Sequence, residues 1–71
     1  MAESVAAEMV ANVHSVAVSV GDQVDAGATL LILESMKMEI PVLSEDGGLV
    51  SEVKVGPGDV VQEGDVLVVI S

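Results

Sequence analysis

The chain nearly repeats itself. Displaced by 37 positions, residues 11–34 lie over residues 48–71. Val13 then meets Val50, Val16 meets Val53, Val18 meets Val55, Val24 meets Val61 and Leu30 meets Leu67. The punctuation coincides too, since Gly21-Asp22-Gln23-Val24-Asp25-Ala26-Gly27 lies over Gly58-Asp59-Val60-Val61-Gln62-Glu63-Gly64. Valine richness alone does not put Gly-Asp-x-Val-x-x-Gly in register twice. Two like halves in so short a chain imply a pseudo-two-fold, each half supplying one set of strands over a common core. The shared glycines suit turns that need positive φ. An anion nest at Gly-Asp is the poorer reading, because the aspartate would repel its ligand.

Within each half the signal is strand. Val16, Val18 and Val20 alternate with Ser15, Ala17 and Ser19, and Val53 and Val55 alternate with Glu52 and Lys54. Leu30–Leu33 and Val66–Ile70 are short, nearly continuous apolar runs that suit strands buried on both faces. Val5, Met9 and Val13 fit a helix face, whereas Val5, Ala7, Met9, Ala11 and Val13 fit a strand face. We read this segment as a strand, because strands follow it and an edge needs a partner. The pattern predicts a small all-β sandwich or barrel, with valines such as Val18 and Val55 in its core.

Composition narrows the function. The 71 residues include no cysteine and no aromatic residue. Disulfide scaffolds, thiolate metal sites and cysteine nucleophiles are thereby excluded, as are base-stacking nucleic-acid platforms. Twelve acids against two lysines give a formal charge of −10, which disfavours nucleic acid and anionic membrane. No apolar run is long enough to span a bilayer, and the start of the chain lacks a basic region, so a cytoplasmic location is expected. Area scaling gives a folded surface of about 4,100 Å² and roughly 60% burial, the marginal end for a domain without staples. One domain over residues 1–71 is expected, with little room for a catalytic cleft. His14 is a lone histidine without a second ligand at metal spacing, and the acids lack the spacing of a calcium loop.

Between the repeats lies Glu34-Ser35-Met36-Lys37-Met38-Glu39-Ile40-Pro41-Val42. A tight hairpin with Met36 and Lys37 at its tip pairs Ser35 with Met38, Glu34 with Glu39 and Leu33 with Ile40. Pro41 has no N–H and belongs on an edge or at a bulge. Hairpin tips usually carry Asn, Asp or Gly. Here one of two lysines stands at an apex between methionines, which offer adaptable contact surface. A Schiff-base role needs a desolvated pocket that an apex does not supply.

Glu-Ser-Met-Lys-Met-Glu between two Gly-Asp-x-Val-x-x-Gly repeats resembles the biotinyl domain of biotin carboxyl carrier proteins, whose signature is Met-Lys-Met. The resemblance covers nearly the whole chain, and the short length is most similar to the stand-alone biotinylated proteins of mycobacteria. Lipoyl domains share the fold but usually carry Asp-Lys-Ala. Ser35 stands where the family usually has alanine. The region Met9–Val13 lacks the Pro and Gly common before the first repeat, and no thumb-like insertion is visible.

The resemblance implies a flattened barrel of two four-stranded antiparallel sheets, with the lysine hairpin at the end opposite the termini. It implies that Lys37 becomes amide-linked to biotin, and that a biotin protein ligase reads Met36 and Met38, with Glu34 and Glu39 as acidic neighbours. The tethered biotin would carry an activated carboxyl group between biotin carboxylase and carboxyltransferase sites, on a non-catalytic and monomeric carrier. Lys54, on a strand, is expected to face solvent unmodified. The competing readings are a lipoyl carrier on the same fold and an acidic module that binds protein without modification.

Overall fold

The computed structural model describes residues 3–71. Eight strands follow in order: β1 (Glu3–Ala6), β2 (Ala11–Val16), β3 (Gln23–Val24), β4 (Thr29–Ser35), β5 (Met38–Leu43), β6 (Gly48–Val53), β7 (Val60–Val61) and β8 (Val66–Ile70). They form two four-stranded antiparallel sheets, ordered β1-β8-β6-β3 and β5-β4-β2-β7. The 37-residue displacement carries β2 onto β6 and β3 onto β7 without remainder, and β4 onto β8 nearly so. The first sheet therefore maps strand for strand onto the second. Each half sends its short third strand to the opposite sheet, β3 to β6 and β7 to β2, and this exchange locks the halves together.

The irregularities repeat as well. The β2–β4 register slips between Val13 and Ser15, and the β6–β8 register slips between Val50 and Glu52. Thr29 and Leu31 sit opposite Leu43 and Val42, while Val66 and Val68 sit opposite Ala6 and Val5. Leu30 and Leu67 are thus the extra residues of two equivalent bulges. A bulge lets adjacent residues face the same side. That is why Leu30 and Leu31, and likewise Leu67 and Val68, are all fully buried in succession. Leu33, Ile70, Val13, Val50 and Val61 complete the aliphatic centre. The surface is 4260 Å², close to the value that chain mass predicts.

The repeated aspartates close turns. Asp22 Oδ2 accepts from Ser19 N at 2.9 Å, and Asp59 Oδ2 accepts from Gly56 N at 2.8 Å. The preceding glycines have φ of 96° and 91°. This is the turn chemistry expected of Gly-Asp.

Three expectations need correction. The segment from Val5 to Val13 is not one strand. It breaks after Ala6, where Ala7 N donates to Asp65 O and Ala7 O accepts from Gly64 N, and the chain passes from one sheet to the other. The inward alternation survives the break at Val5, Ala7, Ala11 and Val13, while Met9 is exposed. Val18 and Val20 lie beyond β2, because the chain must leave that sheet to deliver β3 to β6. Val55 lies beyond β6 for the equivalent reason. Val18 and Val55 are half-buried packing against the core rather than its centre, and Val20 is exposed.

Gly47 is held in a tight backbone position. Its φ is +80°, and an added Cβ would lie 2.8 Å from Val24 O and 2.9 Å from Ala26 N. Gly27 has a similar φ of +86° but open space around it. Gly27→Ala should cost about 1 kcal/mol for the backbone alone. Gly47→Ala should cost clearly more, roughly 3 kcal/mol, because the clash is with backbone that cannot rotate away. Thermal melts of the two variants check the order.

Candidate functional site

The long strands β4 and β5 build the hairpin. Their register pairs Leu33 with Ile40, Glu34 with Glu39 and Ser35 with Met38, as the apolar pattern requires. Buried Leu31 and Leu33 fix the inner face, so a one-residue slip would turn glutamates inward. Pairing alternates along an antiparallel ladder. Counted from the turn, Ile32–Pro41 is therefore a pair without mutual hydrogen bonds. Strand β5 is also a sheet edge, so the missing N–H of Pro41 costs the ladder nothing.

Only Met36 and Lys37 remain for the turn. Both are left-handed, with φ of 54° and 64°, which is what a two-residue hairpin with the right twist demands. Neither is glycine or asparagine, so each carries about 1–3 kcal/mol of backbone strain. The framework of β4 and β5 overrides it. Met36 is 92% exposed and Met38 61% exposed. Lys37 is exposed between them. Among the described residues Lys37 forms no ion pair, whereas Lys54 Nζ lies 3.2 Å from Glu52 Oε1. Lys54 is exposed, as expected, but follows β6 rather than lying within it.

Glu34 and Glu39 face each other on the outer surface just below the tip, a like-charge pair that disfavours its own strand pairing slightly. His14 is the extra residue of the β2 bulge. Its Nε2 lies 3.7 Å from Glu39 Oε2, across β4, and its Nδ1 lies 3.4 Å from Ser15 Oγ. Sequence reading missed this approach, because a bulge that shifts His14 along the sheet leaves no trace in strict alternation. No group of three metal-ligating side chains occurs among the described residues.

The hairpin leaves the body at one end. At the other end of β5, Glu45 N donates to Glu3 Oε2 at 3.2 Å, and Leu49 N and Ser71 N exchange backbone bonds with Ser71 O and Leu49 O. Glu3 and Ser71 thus lie opposite Lys37, on a body 32 Å long and 17 Å across. The five hairpin residues Glu34, Met36, Lys37, Met38 and Glu39 stand together. The arrangement displays a single primary amine, without a cleft, at the end of a stiff support. It suits a protein whose lysine is acted on by others, the class of covalent carrier domains.

Comparison with known proteins agrees. The family described as "Biotin-requiring enzyme" matches residues 2–70, and the chain belongs to this biotin/lipoyl family. It is 59% identical over 71 residues to a Mycobacterium leprae protein named "Biotinylated protein TB7.3 homolog", covering 100% of both chains. It is 48% identical over 68 residues to the Bacillus subtilis "Biotin/lipoyl attachment protein", covering 96% of this chain and 93% of the other. Kluyveromyces lactis urea carboxylase superposes on all of this chain with a TM-score of 0.93 and 34% identity, over 6% of its own length.

Proposed function

We propose that the protein is a biotin carrier whose attachment point is Lys37. The carrying observation is the strained two-residue turn that holds an unpaired, exposed lysine between two exposed methionines. Family membership and full-length likeness to a biotinylated protein support biotin as the group. The site fits it, since an amide to the apex amine needs reach and clearance and both are present. Bound biotin supplies transport of an activated carboxyl group between catalytic sites.

The rest is done by this chain's residues and its partners. A biotin protein ligase presents the biotinyl acyl group as a mixed anhydride with AMP. The neutral Lys37 Nζ attacks that acyl carbon, the new C–N bond replaces the C–O bond to phosphate, AMP departs and the amine loses a proton. No side chain among the described residues hydrogen-bonds Nζ, so the proton leaves through the ligase or solvent. The modified chain is one unit more negative. The rigid hairpin spares the ligase an ordering cost, and the tether raises the local concentration of the carried group at each site.

Met36 and Met38 are the residues the ligase reads, with Glu34 and Glu39 as its acidic neighbours. The partners downstream are biotin carboxylase and carboxyltransferase units, a reading supported by likeness to a segment of a carboxylase. In this reading the carrier is a monomer in the cytoplasm and holds no catalytic group of its own.

Intact-mass analysis in a host supplied with both biotin and lipoic acid tests the proposal. One biotinyl adduct per chain is expected. A lipoyl adduct would replace the reading with a lipoyl carrier. Met36→Asp with Met38→Ala should lower the adduct yield about tenfold or more without unfolding the domain. Normal modification of that double variant would show that the ligase does not read the methionines.

A further inference from the structure

The exposed apolar surface does not end with the hairpin. Asn12 stands across from Glu34, near the hairpin end of β4, and Val10, two residues before it, is 64% exposed. On the other side of β2, Val60 pairs with Asn12 and is 68% exposed. Met9 is exposed too and lines the groove between the β1 and β5 edges beside Leu33 and Ile40. Met9, Val10 and Val60 therefore gather at the lysine's end of the molecule, with Met36 and Met38.

The repeat provides an internal reference. Displacement by 37 places Asp46 where Met9 stands, Gly47 where Val10 stands, and Gln23 at the position of Val60. Crowding dictates Gly47, but Asp46 and Gln23 are exposed and free of such constraint. The fold therefore accepts polar residues at the Met9 and Val60 positions. Leu43 and Leu49 are exposed toward the opposite end, away from Lys37.

We propose that Met9, Val10 and Val60 extend the hairpin into the docking face for the enzyme that acylates Lys37. This rests on the carrier reading and deepens it. Reach selects that partner. A bare lysine has only a four-carbon stem, so the acylating enzyme must bring its reacting carbon within one side chain of the backbone and cover the surrounding surface. Enzymes that act on the longer acylated arm are not held so close. Charge describes the complementary surface: Glu34 and Glu39 pair just below the tip and exposed Glu8 precedes Met9, on a chain of net charge −10, so the partner presents an apolar floor with a basic rim. Methionine lets the floor repack.

The test is transfer kinetics with the purified native biotin protein ligase, with the concentration of the full-length carrier varied. The triple variant Met9→Asp, Val10→Ser, Val60→Gln should raise KM about tenfold, equivalent to about 1.4 kcal/mol, with kcat and circular dichroism unchanged. Leu49→Asn, which installs the residue found at the equivalent Asn12, should leave KM unchanged. If the triple variant is unfolded, Val10→Ser and Val60→Gln are measured singly, each expected to raise KM about threefold. A wild-type KM in the folded variants overturns the proposal. So does an equal rise in Leu49→Asn, or a wild-type dimer that the triple variant abolishes, which would make the face a self-association surface. A wild-type chain that the ligase leaves unmodified overturns the carrier reading itself.

Discussion

Lys37→Arg should remove all biotin from the protein and leave its fold and melting temperature unchanged. Arginine keeps the positive charge and length but stays protonated, so it offers no nucleophilic nitrogen. The side chain touches no part of the core, so nothing in the sheets responds to the exchange. Lys54 should not substitute for it. That amine lies 3.2 Å from Glu52 Oε1 on the flank of the barrel, not on a protruding turn. Streptavidin capture of the variant expressed with its native ligase should recover none of the protein. Capture at the wild-type level would move the attachment site elsewhere.

The second large effect concerns stability. Leu67→Ala should cost about 2–5 kcal/mol, because Leu67 is fully buried in the bulge of β8. A domain holds only about 0.05–0.15 kcal/mol per residue, so a large share of the stability of this one would go. Each kcal/mol lowers the melting temperature by about 4–8 °C in a domain this small. Leu30→Ala should cost nearly the same, since Leu30 occupies the equivalent bulge with the same burial. Val18→Ala and Val55→Ala should cost only about 1 kcal/mol each, as half-buried residues outside the strands. Thermal and urea melts of the four variants read this order. A difference of more than about 1.5 kcal/mol between Leu30→Ala and Leu67→Ala would contradict the equivalence of the two halves.

Much of this architecture was legible in the chain because the repeat constrains it twice. The hairpin register followed from Leu33 and Ile40 having to share a face, and the edge position of Pro41 followed from its missing N–H. The turns at Asp22 and Asp59 were equally plain. The strand limits near Val18 and Val55 were not, because valine alternation continues past the point where the chain leaves its sheet. That departure is set by where β3 and β7 find partners in the other half, which no local pattern encodes. The break after Ala6 was hidden for the same reason. Around the lysine, the hairpin residues were visible as a motif. The neighbours Met9, Val10 and Val60 were not, because strand pairing brings them there from sequence positions far from Lys37.

Peptide mapping by mass spectrometry, on wild-type protein made with its native ligase and ample biotin, locates the attached group. One biotinyl group on Lys37 and none on Lys54 is the expected result. Biotin on Lys54, or a Lys37 peptide that stays unmodified or carries a lipoyl group, would contradict it.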